Sequence, residues 1–316
     1  GGTPSYVSPQ LIAGILKTLK SEFVFDENPE ISIECNPGTI DDEKMRVYAE
    51  SGFNRCSIGL QSVQDDLLKQ IGRIHTFKEF EEGFSAARNA GFKNINIDVM
   101  SALPGQSVKD YVSGLKKIIE YKPEHISAYS LIVEEGTPVY EHPEKFLPLP
   151  SEDDEREMYY ETDRILKKAG FDRYEISNYS KKGFECKHNI LYWKCENYIG
   201  IGASASGFLN EKRYNNICEL DKYEEILHSG KKPIEWEEKL SIKDEIEESR
   251  FLRLRMNEGI KFKDFKDKDN LEFENKYKKQ IEKLTELKLI DLDDEGMKLT
   301  QKGREISNSV FVEFME

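Results

Sequence analysis

Four short apolar runs, each ending in a polar residue and a turn, constrain the fold more than any other feature of this chain. They occupy residues 31–34, 56–61, 95–98 and 126–130. Segments with helical periodicity separate them, and this alternation predicts βα units with a parallel sheet. Ligands of such sheets bind beyond the carboxyl ends of the strands. The pattern therefore predicts one ligand site at the residues that end the strands, namely Glu34, Gln61, Asp98 and Tyr129.

Composition narrows the class of protein. The 316 residues carry a net charge of −14, which argues against a nucleic-acid partner and against binding to anionic membrane surfaces. The sequence contains no apolar stretch of the about 20 residues that span a bilayer. Its five cysteines are scattered without CxxC spacing, which is typical of reduced thiols in a cytoplasmic protein.

Capping signals mark where several helices begin. Ser8-Pro9 places a cap residue before a proline at the first helical position. The spacings Thr39-x-x-Asp42 and Thr76-x-x-Glu79 predict capping boxes. Residues 1–209 are expected to hold the βα units and, from Cys186 to Gly207, a segment rich in aromatic residues, glycine and small residues.

Residues 210–316 are expected to form a second domain of charged, amphipathic helices. Near its end, residues 289–292 and 297–300 predict two short strands joined by a turn at 293–296, with a helix on either side. Helix, hairpin and helix is the winged-helix pattern. The acidic balance favours a structural or lid-like role for this domain over DNA binding.

The candidate site residues suit a polar ligand. Gly1-Gly2-Thr3 would bring backbone close to a ligand, because glycine lacks a side chain. A carboxylate such as Glu34 accepts hydrogen bonds from ribose hydroxyls or an ammonium, and Arg73 can hold a carboxylate with its planar guanidinium. Taken alone, each residue is better explained by a structural role. Their repetition at one sheet edge favours a site.

The order of the motifs resembles a known family. Gly-Gly-Thr-Pro-Ser, Ile-Glu-Cys-Asn-Pro-Gly, Ser-Ile-Gly-Leu-Gln-Ser, Gly-Arg-Ile-His and Asn-Ile-Asp-Val-Met-Ser-Ala-Leu-Pro-Gly follow one another as in the radical S-adenosylmethionine (SAM) proteins related to oxygen-independent coproporphyrinogen III oxidase. The resemblance covers essentially the whole chain and implies a partial radical-SAM (β/α) barrel, an α/β fold. It also implies that the motif residues contact SAM, and these are Gly1, Gly2, Thr3, Glu34, Gln61, Arg73 and Asp98.

One motif of that family is missing. Its C-x-x-x-C-x-x-C motif, which binds a [4Fe–4S] cluster, would lie upstream of residue 1, and none of the five cysteines reproduces its spacing. We therefore expect an N-terminally truncated chain that lacks the first barrel strand and most or all of the second, exposes a sheet edge and does not carry out radical chemistry itself. No metal ligand is expected within it, and the catalytic residues are left unassigned.

A second candidate site surrounds His188. Imidazole is a strong axial ligand of haem iron, and Tyr192 and Trp193 offer flat apolar surface for a porphyrin. His-Asn-x-x-Tyr-Trp at residue 188, followed by Tyr198-Ile-Gly-Ile-Gly, resembles the signature of the haem-chaperone branch, HemW. The resemblance implies that His188 binds haem. A packed histidine, and a Cys/His metal site with the flanking Cys186 and Cys195, are the alternatives.

Three functional hypotheses follow from these motifs. The first is a haem chaperone that binds haem and SAM and delivers haem to an acceptor protein, with membrane contact during delivery left open. The second is coproporphyrinogen III dehydrogenase, which makes protoporphyrinogen IX in porphyrin biosynthesis. The third is a cluster-free remnant that binds neither ligand. The motif at His188 favours the first.

Overall fold

The computed structural model describes residues 3–314, apart from the side chains of residues 267 and 268, and it divides into two compact units between Glu185 and Cys186. This division lies before the boundary at residue 209 suggested by the sequence, because Tyr198 pairs with Phe208 and joins its segment to the later strands. No helix among the described residues is long and apolar enough to cross a membrane.

The first unit is an α/β structure. Its strands are β1 Ser32–Cys35, β2 Arg55–Gln61, β3 Ile95–Ser101, β4 His125–Ser130, β5 Asp172–Arg173 and β6 Asn178–Ser180. Its helices are α1 Pro9–Glu22, α2 Asp42–Ser51, α3 Asp65–Gln70, α4 Phe77–Asn89, α5 Val108–Glu120, α6 Pro138–Glu141 and α7 Glu152–Lys168, with 3₁₀ turns at Pro4–Tyr6 and Pro143–Lys145. All four predicted strands are present.

The six strands form one sheet in the order β1-β2-β3-β4-β6-β5. Strands β1 to β4 are parallel, which confirms the predicted βα arrangement, and β6 runs antiparallel to β4. The parallel strands bring their carboxyl ends to one edge of the sheet. The residues that end them therefore lie at that edge.

The two faces of the sheet differ because side chains alternate along a strand. One face is apolar and packs under the helices, with Ile58, Ile97 and Ile126 fully buried in its core. The other face carries polar side chains that are also buried, including Ser57, Asn96 and His125. A buried polar face needs internal hydrogen-bond partners, and those partners build the site described below.

Helix starts follow the capping signals in two of three positions. Ser8 is the N-cap of α1 with Pro9 at its first position, and Thr76 forms a complete capping box with Glu79 at the start of α4. The box predicted from Thr39 is wrong. Asp41 caps α2 instead, since its carboxylate accepts from the Lys44 amide at 2.8 Å.

The second unit contains two small antiparallel sheets. Its strands are β7 Ser206–Leu209, β8 Lys212–Asn216, β9 Ile234–Lys239, β10 Ile260–Lys261, β11 Ile290–Leu292 and β12 Gly296–Leu299. Its helices are α8 Lys187–Trp193, α9 Leu220–His228, α10 Ile242–Arg253, α11 Asp267–Lys276, α12 Lys278–Glu286, α13 Gln301–Glu305 and α14 Ser307–Val312, with a 3₁₀ turn at Phe262–Asp264. Strands β7, β8 and β9 make one sheet, and β10, β12 and β11 make the other.

The winged-helix-like pattern is confirmed at the end of the second unit. Strands β11 and β12 form the predicted hairpin, which follows α12 and precedes α13. Their apolar residues join a core with Phe273, Tyr277 and Phe314, in which the aromatic rings contact one another. This core is separate from that of the first unit.

Candidate functional site

The residues predicted to end the strands lie toward the carboxyl edge of the sheet, although β3 continues past Asp98 to Ser101, and Tyr129 interacts with the other three. The Tyr129 hydroxyl donates to Gln61 Oε1 at 3.0 Å. Burial, followed by the charge of Asp98, raises the pKa of Tyr129 to about 12, and the charges of Arg73 and Glu34 also act on it. The phenol therefore stays protonated and donates. Tyr129 thus interacts with three of the predicted strand-end residues, Glu34, Gln61 and Asp98, and with Arg73.

Gln61 is placed by its backbone. It ends β2 with φ of 69°, in the left-handed region that residues other than glycine seldom adopt, and its side chain is buried. Such a conformation persists only where the surroundings hold it, and it is often found at functional sites. Here the hydrogen bond from Tyr129 fixes the amide oxygen.

Arg73 is held beside the end of β1. Its guanidinium donates to Asn36 Oδ1 at 3.4 Å, and the Asn36 amide donates to Thr3 Oγ1 at 3.0 Å. Gly59 lies next to the side-chain amides of Asn36 and Gln61, since a Cβ at this position would be 3.1 Å from Asn36 Oδ1 and 3.2 Å from Gln61 Nε2. A side chain at position 59 would therefore separate these amides. Thr3 belongs to the same cluster, whereas Gly1 and Gly2 lie outside the described residues.

His75 attaches the loop that carries Arg73 to the end of β2. Its ring nitrogen Nε2 lies 3.1 Å from the carbonyl oxygen of Leu60, the residue before Gln61. Burial lowers the pKa of His75, so the neutral ring donates from Nε2. Arg73 and Gln61 are thus brought to the same edge by one buried contact.

Asp98 and Glu34 supply the carboxylates. Asp98 Oδ1 accepts from the Asn96 amide at 2.7 Å. Burial raises the pKa of Asp98, the charge of Glu34 raises it further, and hydrogen bonds from Asn96 and Ser127 oppose these effects. Glu34 is exposed on edge strand β1. The site therefore combines an exposed and a shielded carboxylate with a guanidinium, amides and a phenol.

Asn36, His75 and Asn96 are the site residues that sequence reasoning missed. The sequence pattern around Asn36 could have indicated its role, because Asn-Pro-Gly directly follows a predicted strand and so lies at the site edge. His75 lies within the Gly-Arg-Ile-His motif, but only the fold brings it to Leu60. Asn96 lies inside a strand, where no local pattern indicates which side chain it contacts.

The cysteines do not assemble a cluster site. Cys35 and Cys56 are buried on the apolar face of the sheet with their sulfur atoms 3.7 Å apart, and their hydrogen bond, followed by burial, raises the pKa of Cys56. The other three lie in the second unit. Across residues 3–314 no group of three or more Cys, His, Asp or Glu side chains is gathered that could hold a metal ion. The residues present therefore do not fit a [4Fe–4S] cluster, which needs three thiolates.

His188 lies in an aromatic cluster of the second unit. It is exposed on α8, and the edge of its ring meets Tyr192 at a centroid distance of 4.8 Å. Tyr192 in turn meets Tyr198 at 4.5 Å. Tyr198 is fixed by two backbone hydrogen bonds with Phe208 on β7. An exposed imidazole thus contacts one partly buried phenol ring, which in turn contacts a second.

Trp193 packs against a cation. The guanidinium of Arg255 lies over its ring, 4.3 Å from the centroid. One face of the indole is therefore covered, and the ring that contacts His188 is that of Tyr192. Cys195 follows the helix, and burial raises its pKa to about 11. It is therefore a neutral thiol rather than a ready metal ligand.

Comparisons with known proteins agree with this architecture. The sequence profile of the Radical SAM superfamily matches residues 1–118, and that of the HemN C-terminal domain matches residues 240–306. A Lactococcus lactis relative named heme chaperone HemW is 40% identical over 100% of this chain and 83% of its own length. The Bacillus subtilis relative of the same name is 34% identical, over 100% of this chain and 84% of its own.

One solved structure covers nearly the whole chain. Coproporphyrinogen III oxidase (HemN) from Escherichia coli, described as a radical SAM enzyme, superposes with a TM-score of 0.85. The match covers 99% of this chain and 76% of that chain at 23% identity. This likeness confirms the predicted radical-SAM fold with its C-terminal domain.

Proposed function

Because the chain belongs to the HemW family of radical SAM proteins, we propose that it binds haem through His188 and carries it to an acceptor protein. The observation that supports this most directly is the aromatic cluster of His188, Tyr192 and Tyr198. An exposed imidazole can ligate haem iron axially, and neighbouring aromatic rings can pack against a porphyrin. The relatives' name, heme chaperone, agrees with that chemistry.

The second ligand in this proposal is SAM, at the carboxyl edge of the sheet. Its ammonium and ribose hydroxyls suit the carboxylates of Glu34 and Asp98, and its carboxylate suits the guanidinium of Arg73. Gln61 and Thr3 add neutral polar groups at the same edge. Gly1 and Gly2 are proposed as further contacts on the family resemblance alone. Bound SAM would supply a reactive sulfonium, and these residues would bind and orient it.

Coproporphyrinogen III dehydrogenase is not the favoured alternative. The likeness to HemN is at 23% identity and concerns the fold, whereas relatives named as haem chaperones reach 40% over the whole chain. In the favoured proposal the porphyrin is cargo and leaves unchanged.

The five cysteines are free thiols, which supports a reducing compartment such as the cytoplasm.

A titration with ferric haem, followed by Soret absorbance, tests the proposal. We expect a saturable shift that ends at one haem per chain. Metal-free protoporphyrin IX is the matched control ligand, because it has the same ring without an iron for His188 to ligate, and it should bind more weakly. A Soret change that grows linearly without saturation, or equal binding of both porphyrins, would argue for non-specific adsorption and against the proposal.

A further inference from the structure

A row of buried side chains on the polar face of the sheet leads away from Asp98. Asn96 Nδ2 lies 2.7 Å from Asp98 Oδ1, and Asn96 Oδ1 lies 2.6 Å from His125 Nδ1. His125 Nε2 lies 2.8 Å from the hydroxyl of Tyr174. Asn96 is 2% exposed and His125 is fully buried, so the contacts are shielded from water. The row links β3 and β4 to the segment before β6.

The orientation of the Asn96 amide follows from its four neighbours. Its oxygen receives the hydroxyl of Ser127 at 3.1 Å as well as His125 Nδ1, and both of these can donate. Its nitrogen faces Asp98 Oδ1 and, at 2.8 Å, Ser57 Oγ, and both of these can accept. If the amide were reversed, its oxygen, which is an acceptor, would face the carboxylate oxygen of Asp98, which is also an acceptor. The amide nitrogen therefore points at Asp98.

The tautomer of His125 follows in the same way. Burial and the charge of Arg55 lower the pKa of His125 well below its ordinary value, so the ring is neutral and carries one N–H. Asn96 Oδ1 needs a donor, which places that proton on Nδ1. Nε2 is then an acceptor, and the Tyr174 hydroxyl donates to it. Every donor in the row thus points toward Asp98.

We infer that Asn96, held by His125 and Tyr174, is a positioning residue that fixes the Asp98 carboxylate for ligand binding and stabilises its charge. The inference rests on the proposed SAM site, in which Asp98 is a contact. A charge-assisted hydrogen bond from a fixed amide holds Oδ1, and the Ser57 hydroxyl donates to Oδ2 only at 3.5 Å, so that oxygen can still accept a hydrogen bond from the ligand. The acceptor is thereby oriented before SAM arrives.

The charges around Asp98 determine how its ionisation depends on Asn96. Glu34 on β1 raises its pKa and Arg55 on β2 lowers it. Cys56 on β2 and Tyr129 on β4 also interact with it, and His125 on β4 is neutral. Burial raises the pKa of Asp98, and the bond from Asn96 opposes that rise. Removing the amide therefore raises the pKa of Asp98 further.

SAM affinity should follow this ionisation. A ligand group that donates to the carboxylate binds its charged form, so affinity is lost as pH falls through the pKa of Asp98. In Asn96→Ala the loss should begin at a higher pH. If Asn96 had only a structural role, its replacement would weaken SAM binding at every pH. The pH at which half of the affinity is lost would then stay where it is in the parent.

The first experiment follows the Asp98 carboxyl carbon by NMR in protein labelled at aspartate, with Asp98→Asn to assign the signal. The Asn96→Ala variant should titrate at a higher pH than the parent. Asn178→Ala is the matched control, because Asn178 is also buried and donates to Glu175 at 2.6 Å rather than to Asp98. Equal midpoints in parent and Asn96→Ala, or an equal shift in the control, would overturn the inference.

Two further measurements separate this inference from the proposed function. Equilibrium dialysis with labelled SAM should give about tenfold weaker binding for Asn96→Ala and parent-like binding for Asn178→Ala. A parent chain that binds no SAM would overturn the proposed SAM site, whereas the carboxyl titration tests the Asn96–Asp98 contact without SAM. If Asn96→Ala does not fold, ¹⁵N NMR of His125 in the parent tests the inference instead, because it shows which ring nitrogen carries the proton. A proton on Nδ1 supports the row, and a proton on Nε2 alone or a charged ring overturns it.

Discussion

Replacing His188 with alanine is expected to abolish the saturable Soret shift that the parent chain shows on haem titration. The imidazole is the proposed axial ligand, and alanine offers no atom that can bind iron. Because His188 is exposed on α8, its loss removes little packing, and the variant should keep the parent's far-UV circular dichroism. The effect is therefore assigned to ligation and not to unfolding.

The matched control for this substitution is His228→Ala. His228 is another exposed histidine of the second unit, at the end of α9. It should bind haem as the parent does, with an unchanged Soret maximum. If His188→Ala binds haem with the parent's affinity and spectrum, His188 is not the ligand. If both variants lose binding equally, the loss is not specific to position 188.

Replacing Phe80 with alanine is expected to lower the free energy of unfolding by about 3–5 kcal/mol, the typical cost of truncating a fully buried phenylalanine. Phe80 on α4 is 0% exposed and contacts the rings of Phe77, Phe84 and Tyr121. Alanine would remove those contacts and leave a cavity in the core beneath the sheet. Urea unfolding followed by circular dichroism measures the effect.

The matched control is Val24→Ala, in the same unit. Val24 is fully exposed, so its truncation should change the free energy of unfolding by less than about 0.5 kcal/mol. The two units can unfold in separate transitions, and the comparison then applies to the transition of the first unit. A Phe80→Ala variant as stable as Val24→Ala would mean that the packing of Phe80 does not stabilise the first unit.

The parallel strands were predictable because their signal is local. A buried strand of a parallel sheet is a short apolar run, and its end is marked by a polar residue and a turn. Gln61 could therefore be assigned to the site edge from its position alone, whereas the strand end predicted at Asp98 is wrong, because β3 continues to Ser101. The contact of Gln61 with Tyr129 crosses 68 residues of chain, and the sequence predicted only that both lie at that edge.

The small sheet of the second unit could not be predicted in the same way. Strand β9, Ile234–Lys239, is largely exposed and carries three glutamates, so hydrophobic periodicity gives little signal. Its pairing with β8 depends on chain reversal around α9. The cap of α2 was misplaced for a related reason. Both Thr39 and Asp41 are good cap residues, and only the backbone path decides between them.

The buried polar row was beyond sequence reasoning altogether. Asn96 and His125 each occupy a strand position at which a polar residue reads as an interruption of the apolar pattern. Their partners are fixed by the register of β3 against β4, in which Asn96 lies opposite His125. Tyr174 comes from a segment 49 residues further along the chain. Register and burial together turn isolated polar residues into a connected row.

Haem transfer tests the central claim most directly, because a chaperone must release what it binds. The chain is loaded with one equivalent of ferric haem, freed of excess, and mixed with a haem-free globin while the Soret band is followed. We predict that the band of the chain is replaced by that of the globin, with the porphyrin chemically unchanged. A chain that cannot be loaded, retains its haem against the globin, or alters the porphyrin would contradict the claim that haem is its cargo.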